Sequence, residues 1–239
     1  MLSHLRRALV RGSAGEFSYA YCGKTPPPYS WTAEDYSALR WGAGELGTTP
    51  EELLKVFYIE CKLNPADAHC EGSYPTAIGL NQITRVNAAA MKISEAERLS
   101  LLDMSAAEQM PYVVRSFLAA RGGKPFSSPP DAVTLYQTNI APSTVPNEVL
   151  YTEAKNPKAY YANRWLDKDN DGAITRSDLH RIMAEVMKAT KYQQAVHELH
   201  TTSDPGGLLD WLLLGAALGG AYYAYKRWVP SSAPMLETA

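Results

Sequence analysis

Thr49-Pro50-Glu51-Glu52-Leu53-Leu54-Lys55-Val56-Phe57-Tyr58-Ile59-Glu60 is the stretch on which the fold turns. It opens as a helix. Thr49 is a cap, Pro50 sits in the first turn, and Glu51 and Glu52 lie near the positive end of the helix dipole. Leu53, Val56, Phe57 and Glu60 follow at i, i+3, i+4 and i+7, so three apolar side chains and one carboxylate share a face. Asn64-Pro65 ends the helix soon after. A carboxyl at the end of an apolar face is partly desolvated. Desolvation disfavours the anion and raises the pKa. A carboxyl still protonated near neutral pH can give its proton to a leaving oxygen.

Working outward, Thr32 reads as a second cap, with Asp35 three residues later, for a helix running to about Leu46 and stopped by Gly47. Further helices are expected from about Arg85 to Met91, after Ser105 (paired with Glu108) and after Pro130. No alternating strand pattern stands out. Residues 31–150 therefore read as one mainly helical domain. Before it, residues 1–30 form a basic arm with Arg6, Arg7 and Arg11 and then a linker rich in Gly, Ser and Pro. The arm lacks the unbroken apolar stretch of a secretory signal. After the domain come a helix–acidic loop–helix region at 151–200, an apolar stretch at 206–229 and a tail at 230–239. There is no internal repeat.

Three motifs in this domain carry a family resemblance. Val56-Phe57-Tyr58-Ile59-Glu60-Cys61-Lys62-Leu63-Asn64-Pro65 resembles the soluble lytic transglycosylase motif, a helix ending in Glu-Ser and followed by Asn-Pro. Ala77-Ile78-Gly79-Leu80-Asn81-Gln82-Ile83 resembles that family's Gly-Leu-Met-Gln, and Leu135-Tyr136-Gln137 stands where the family has Ala-Tyr-Asn. Order and spacing agree over about residues 45–145. The chain departs at Cys61 for Ser, Asn81 for Met and Gln137 for Asn. A thiol is a poorer hydrogen-bonding partner than a hydroxyl at the helix end.

The resemblance implies a lysozyme-like fold that cleaves the β-1,4 bond between N-acetylmuramic acid and N-acetylglucosamine in bacterial peptidoglycan. Glu60 is then the catalytic acid and afterwards the base. Gly79 would admit the sugar close to the backbone, Gln82 and Gln137 would meet sugar groups, and the Tyr136 hydroxyl would orient Glu60. Ordinary glycosidases use two carboxylates. Only Glu60 has a motif-supported place here, so the resemblance implies closure of a 1,6-anhydro ring by the C6 hydroxyl. Hydrolysis by water, with Asp67 or Glu71 nearby in sequence, stays open. So does a non-catalytic, membrane-anchored, calcium-stabilised protein that grips the glycan or builds a virion.

The chain has 239 residues, 46% hydrophobic and 20% charged, with a formal charge of −2. That gives a substantial core and no basic surplus for nucleic acid. The three cysteines, Cys22, Cys61 and Cys70, leave at least one thiol outside any intrachain bond. Cys61 and Cys70 are near enough in sequence to pair across a loop; separate thiols are an equal reading.

Asp167 to Asp178 matches a twelve-residue EF-hand loop, with Asp167, Asp169, Asp171 and Asp178 at positions 1, 3, 5 and 12 and Gly172 at 6. Ala173 would supply a carbonyl and Thr175 a water. The implied cofactor is a structural calcium ion, with no organic cofactor. Asp178 in place of Glu offers a shorter arm, as in dockerin-type loops. His197 and His200 read as a solvated helix face, not a zinc site.

Leu208 to Tyr225 is almost wholly apolar. With its flanks it just reaches the ~20 residues that span a bilayer. Trp211, Tyr222, Tyr223, Tyr225 and Trp228 suit the interfaces, Lys226 and Arg227 suit the cytoplasmic side, and Gly215 and Gly219 permit close helix contact. A buried hairpin helix is the other reading. The layout resembles phage virion-associated wall enzymes, carried in the particle with other virion proteins and opening the wall at entry. A bacterial envelope enzyme is the competitor.

Overall fold

The computed structural model describes Cys22 and residues 25–202. The expected basic arm, most of the linker, the 206–229 stretch and the tail lie outside these residues. Among the described residues no helix is long and apolar enough to cross a membrane.

The described part is mainly helical. Helix α1 (Ala33–Leu46) starts at Thr32 in a full capping box with Asp35 and stops at Gly47 in the left-handed region. Asp35, 1% exposed, also accepts the Ala107 amide at 2.8 Å, so it ties two helix starts together. Helix α2 (Pro50–Cys61) is capped by Thr49 and buries Leu53, Leu54, Val56 and Phe57 completely.

A three-stranded antiparallel sheet follows: β1 (Ala68–Glu71), β2 (Tyr74–Ile78) and β3 (Ile83–Thr84), in that order. It was not legible as alternation. The strands are short, β1 and β2 shift register between His69 and Cys70, and Pro75 occupies β2. What holds them is a buried cation. Arg98 is fully buried and donates to the Pro75 carbonyl of β2 at 2.8 Å and the Ile83 carbonyl of β3 at 3.1 Å, while pairing with Glu95.

Helices α3 (Arg85–Ala90) and α4 (Glu95–Ser100) lead to the long α5 (Ala106–Ala120), which is capped by Ser105 with Glu108 as expected. Helix α5 packs on α1, and a Cβ on Gly42 would lie 2.7 Å from the Met110 side chain. Helix α6 (Ala132–Ile140) is capped by Asp131 and packs against α2 and α5.

The acidic region, expected at 151–200, is paired with residues on both sides of position 151. Strand β4 (Val149–Thr152) crosses that point and pairs with β5 (Ala173–Thr175) at the end of the acidic loop. Helix α7 (Pro157–Ala162) precedes the loop. Helices α8 (Arg176–Lys188) and α9 (Thr190–Thr201) follow it and pack back on the rest. Tyr36 of α1 donates to Glu198 at 2.8 Å, and Arg40 to the Thr202 carbonyl at 2.9 Å.

The cysteines pair differently from the Cys61–Cys70 possibility. Cys22 bonds Cys70, and Cys61 is a buried free thiol. Cys61 lies on the inner face of α2, where its thiol reaches the Phe57 and Leu80 carbonyls. Cys70, on β1, meets the segment that precedes α1.

Candidate active site and acidic loop

Glu60 ends the buried face of α2. Burial pushes its pKa up from 4.5 to about 7, against the opposing pull of a hydrogen bond from Asn139 and the charge of Lys62. Asn139, on α6, donates Nδ2 to Glu60 Oε1 at 2.6 Å. Its Oδ1 accepts Asn81 Nδ2 at 2.9 Å, and Asn81 Nδ2 also reaches Ser116 Oγ of α5 at 3.3 Å. The carboxyl is therefore the end of a polar chain running into the core.

Immediately after Glu60 the backbone is strained. Lys62 and Leu63 have φ of 51° and 63°, and Gln82, in the facing loop, has 43°. Lys62 is the left-handed cap of α2, and such angles are uncommon in non-glycine residues, so the surroundings must hold them. Here the surroundings are visible. Trp31 Nε1 donates to the Leu63 carbonyl at 2.9 Å, and Asn64 Nδ2 to the Pro27 carbonyl at 2.9 Å. Asn64 Oδ1 in turn accepts the Ala66 amide at 3.0 Å and shapes the turn that Pro65 begins. The Cys61 thiol ties the helix end to the loop at Leu80.

The other expected residues divide. Tyr136 is 2% exposed and close enough that the charge of Glu60, after burial itself, raises its phenol pKa. It is therefore a neutral donor at physiological pH, though no hydrogen bond joins it to Glu60. Gln82 spends its amide nitrogen on the Gly79 carbonyl at 3.0 Å. Gly79 has φ +76°, and a Cβ there would lie 2.5 Å from Gln109 Oε1. Its lack of a side chain thus serves the loop's own packing. Gln109 fills that space, accepting the Leu80 amide and donating to the Pro65 and Leu101 carbonyls.

Gln137 does not face Glu60. It is fully buried, donates to the Asn147 carbonyl at 3.0 Å and accepts Arg176 at 2.6 Å. Positions 137 and 139 point to opposite sides of a helix, about 200° apart. The residue on the Glu60 side is Asn139, which the sequence reading missed. Asp67 sits partly buried after the strained turn, with a carboxyl pKa raised by burial and held back by the Ala68 amide, His69 and Lys62. Glu71 is exposed on β1.

In the acidic loop, Asp167, Asp169 and Asp171 bring one carboxylate oxygen each within 4.8 Å of one another. That separation suits oxygens about 2.3–2.6 Å from one shared cation. Gly172, at φ +87°, makes the sharp turn. Asp178 stands apart from the three. It closes a capping box with Thr175, accepting its hydroxyl at 2.7 Å, and accepts the Lys168 amide at 3.2 Å. Thr175 is accordingly a helix cap here. Arg181 pairs with Asp169 Oδ2 at 3.0 Å and would compete with an incoming cation for that carboxylate.

No family model matches this chain, and neither does any curated protein or solved structure.

Proposed function

We propose that the chain is a peptidoglycan-cleaving enzyme of the lytic transglycosylase kind, with Glu60 as its acid and base. The observation that carries this is the state of Glu60. A carboxyl whose pKa is raised to about 7 holds a proton at physiological pH and can also lose it, as a group that acts first as acid and then as base must. Tyr136, the three motifs and the strained turn after Glu60 add support.

The chemistry needs one carboxyl. Glu60 gives its proton to the glycosidic oxygen as the bond from C1 of N-acetylmuramic acid to that oxygen breaks, and the bonding pair stays on the departing oxygen. The C6 hydroxyl then bonds to C1, and its proton returns to Glu60. The products are an anhydro-muramic end and a free 4-hydroxyl. Because burial lowers the dielectric around it, the Glu60 anion would also stabilise the positive charge at C1 between these steps.

The acidic loop is proposed to hold one calcium ion, on the three aspartates and the Ala173 carbonyl, with Asp178 joining once it leaves the Thr175 hydroxyl and the Lys168 amide. The ion would supply a structural cross-link between α7 and α8. The Cys22–Cys70 bond favours an oxidising site of action outside the cytosol. The membrane anchor at 208–225 and delivery in a virion, or from a bacterial envelope, belong to this proposal.

The test is mass spectrometry of purified peptidoglycan digested by the full chain in calcium, beside its Glu60→Gln variant. Anhydro-muropeptides from the wild type alone are expected. Reducing ends would make it a hydrolase and move attention to Asp67. No product from the folded, calcium-loaded chain would leave a glycan-gripping or virion-building role.

A further inference from the structure

We propose that Asn81 and Asn139 form a two-amide latch that fixes which oxygen of Glu60 carries the working proton. Oε1 is held and Oε2 is left free. This rests on the glycan-cleaving reading above and deepens it, by naming positioning residues that the family resemblance does not supply. Asn81 stands where the motif has Met, and Asn139 lies outside all three motifs.

The geometry fixes the amide of Asn139 in one orientation. Its Oδ1 accepts Asn81 Nδ2 at 2.9 Å. Its Nδ2 donates to Glu60 Oε1 at 2.6 Å and to the Asn81 carbonyl at 3.3 Å. Turned by half a rotation, the amide would set its oxygen against two acceptors and its nitrogen against a donor. Asn81 thus prevents the flip from both ends. Ser116 in turn holds Asn81 in the core.

Stability alone does not explain Asn81. It is 1% exposed, and no protein group donates to its buried Oδ1. A buried unmet acceptor opposes folding, and a Met at this place would avoid it. What the amide adds is the Nδ2 donor that orients Asn139. The consequence for Glu60 is directional. A proton on Oε1 would confront the Asn139 N–H, so the proton resides on Oε2, which gives it to the leaving oxygen and later recovers it. The same donation favours the anion and opposes the effect of burial, which keeps the carboxyl able to work in both directions.

The experiment is carbon-13 NMR titration of the Glu60 carboxyl in the full chain, with the pH profile of glycan cleavage, for the wild type, Asn81→Met, Asn139→Leu and the double variant. Asn81→Met is expected to shift the Glu60 titration upward, carry the alkaline limb of the rate profile with it, and lower kcat roughly ten- to hundredfold with KM little changed. Once Asn139 is Leu, adding Asn81→Met should move the titration no further, a non-additivity that a purely structural Asn81 does not produce. Ser116→Ala, which loosens Asn81 from outside, gives a smaller shift of the same sign and serves if Asn81→Met fails to fold. A Glu60 titration unchanged in folded Asn81→Met or Ser116→Ala overturns the latch. A shifted titration in a chain that cleaves no glycan keeps the latch and sinks the enzymatic reading instead.

Discussion

Glu60 exacts a stability penalty that depends on pH. Its pKa rises from 4.5 in the unfolded chain to about 7 in the fold. The folded state therefore binds the proton more tightly. The contribution of Glu60 to stability is fully present below pH 4.5, is lost as pH climbs through 7, and amounts to on the order of 3 kcal/mol. A Gln keeps the shape and the Asn139 contact without the charge. Glu60→Gln should thus melt higher than the wild type at pH 8 and nearly alike at pH 4, while losing cleavage. Calorimetry at the two pH values checks this, and equal melting at pH 8 would remove the desolvated carboxyl. Gly79→Ala tests a different residue-scale expectation. A side chain at φ +76°, 2.5 Å from an anchored Gln109, should destabilise by roughly 1–3 kcal/mol in urea. The place of Glu60 was legible because caps and apolar spacing fix a helix face. Asn139 was not, because a helical Asn follows no pattern and its partner lies 79 residues away.

At the scale of elements, helices announced themselves and strands did not. Thr32 and Ser105 are caps read from three-residue spacings and Thr49 from the Pro and acids after it, and each starts the helix expected of it. The sheet rests on contacts between distant residues. Arg98 of α4 bonds carbonyls of β2 and β3, and the Cys22–Cys70 bond ties β1 to the segment before α1. Neither is a local signal, and a spacing argument drew attention to Cys61 instead of Cys22. Arg98→Met should lower stability by about 2–4 kcal/mol, because it leaves the buried Pro75 and Ile83 carbonyls without their donor. Urea unfolding measures it, and a loss under 1 kcal/mol would mean that the sheet stands without its cation. The disulfide spans 48 residues. Closing such a loop in the unfolded chain is worth about 4 kcal/mol in the chain-entropy description, so Cys22→Ser should melt well below the oxidised wild type.

At the scale of the described molecule, α6 serves two neighbours. One side gives Tyr136 and Asn139 to Glu60. The other gives Gln137 and Thr134 to Arg176, the first residue of α8, at 2.6 and 3.4 Å. The acidic loop therefore ends on the helix that holds the candidate active site, a connection invisible in a sequence that reads as two consecutive domains. If calcium binds the loop, its stabilisation reaches past residues 167–178. At a hundredfold excess over Kd it amounts to ~2.7 kcal/mol, shared with whatever unfolds together with the loop. Hydrogen exchange read by mass spectrometry should then show calcium protecting peptides of α6 and the end of α2 as well as the loop. Arg176→Ala should confine that protection to the loop and α8, and should lower stability by about 1–3 kcal/mol by leaving the Gln137 oxygen buried without its donor. Arg176→Lys should recover only part of either, since a lysine lacks the fork that reaches both acceptors. Protection confined to the loop in the wild type would show that the two regions unfold independently, and that the contact across α6 joins them in space without joining them in energy.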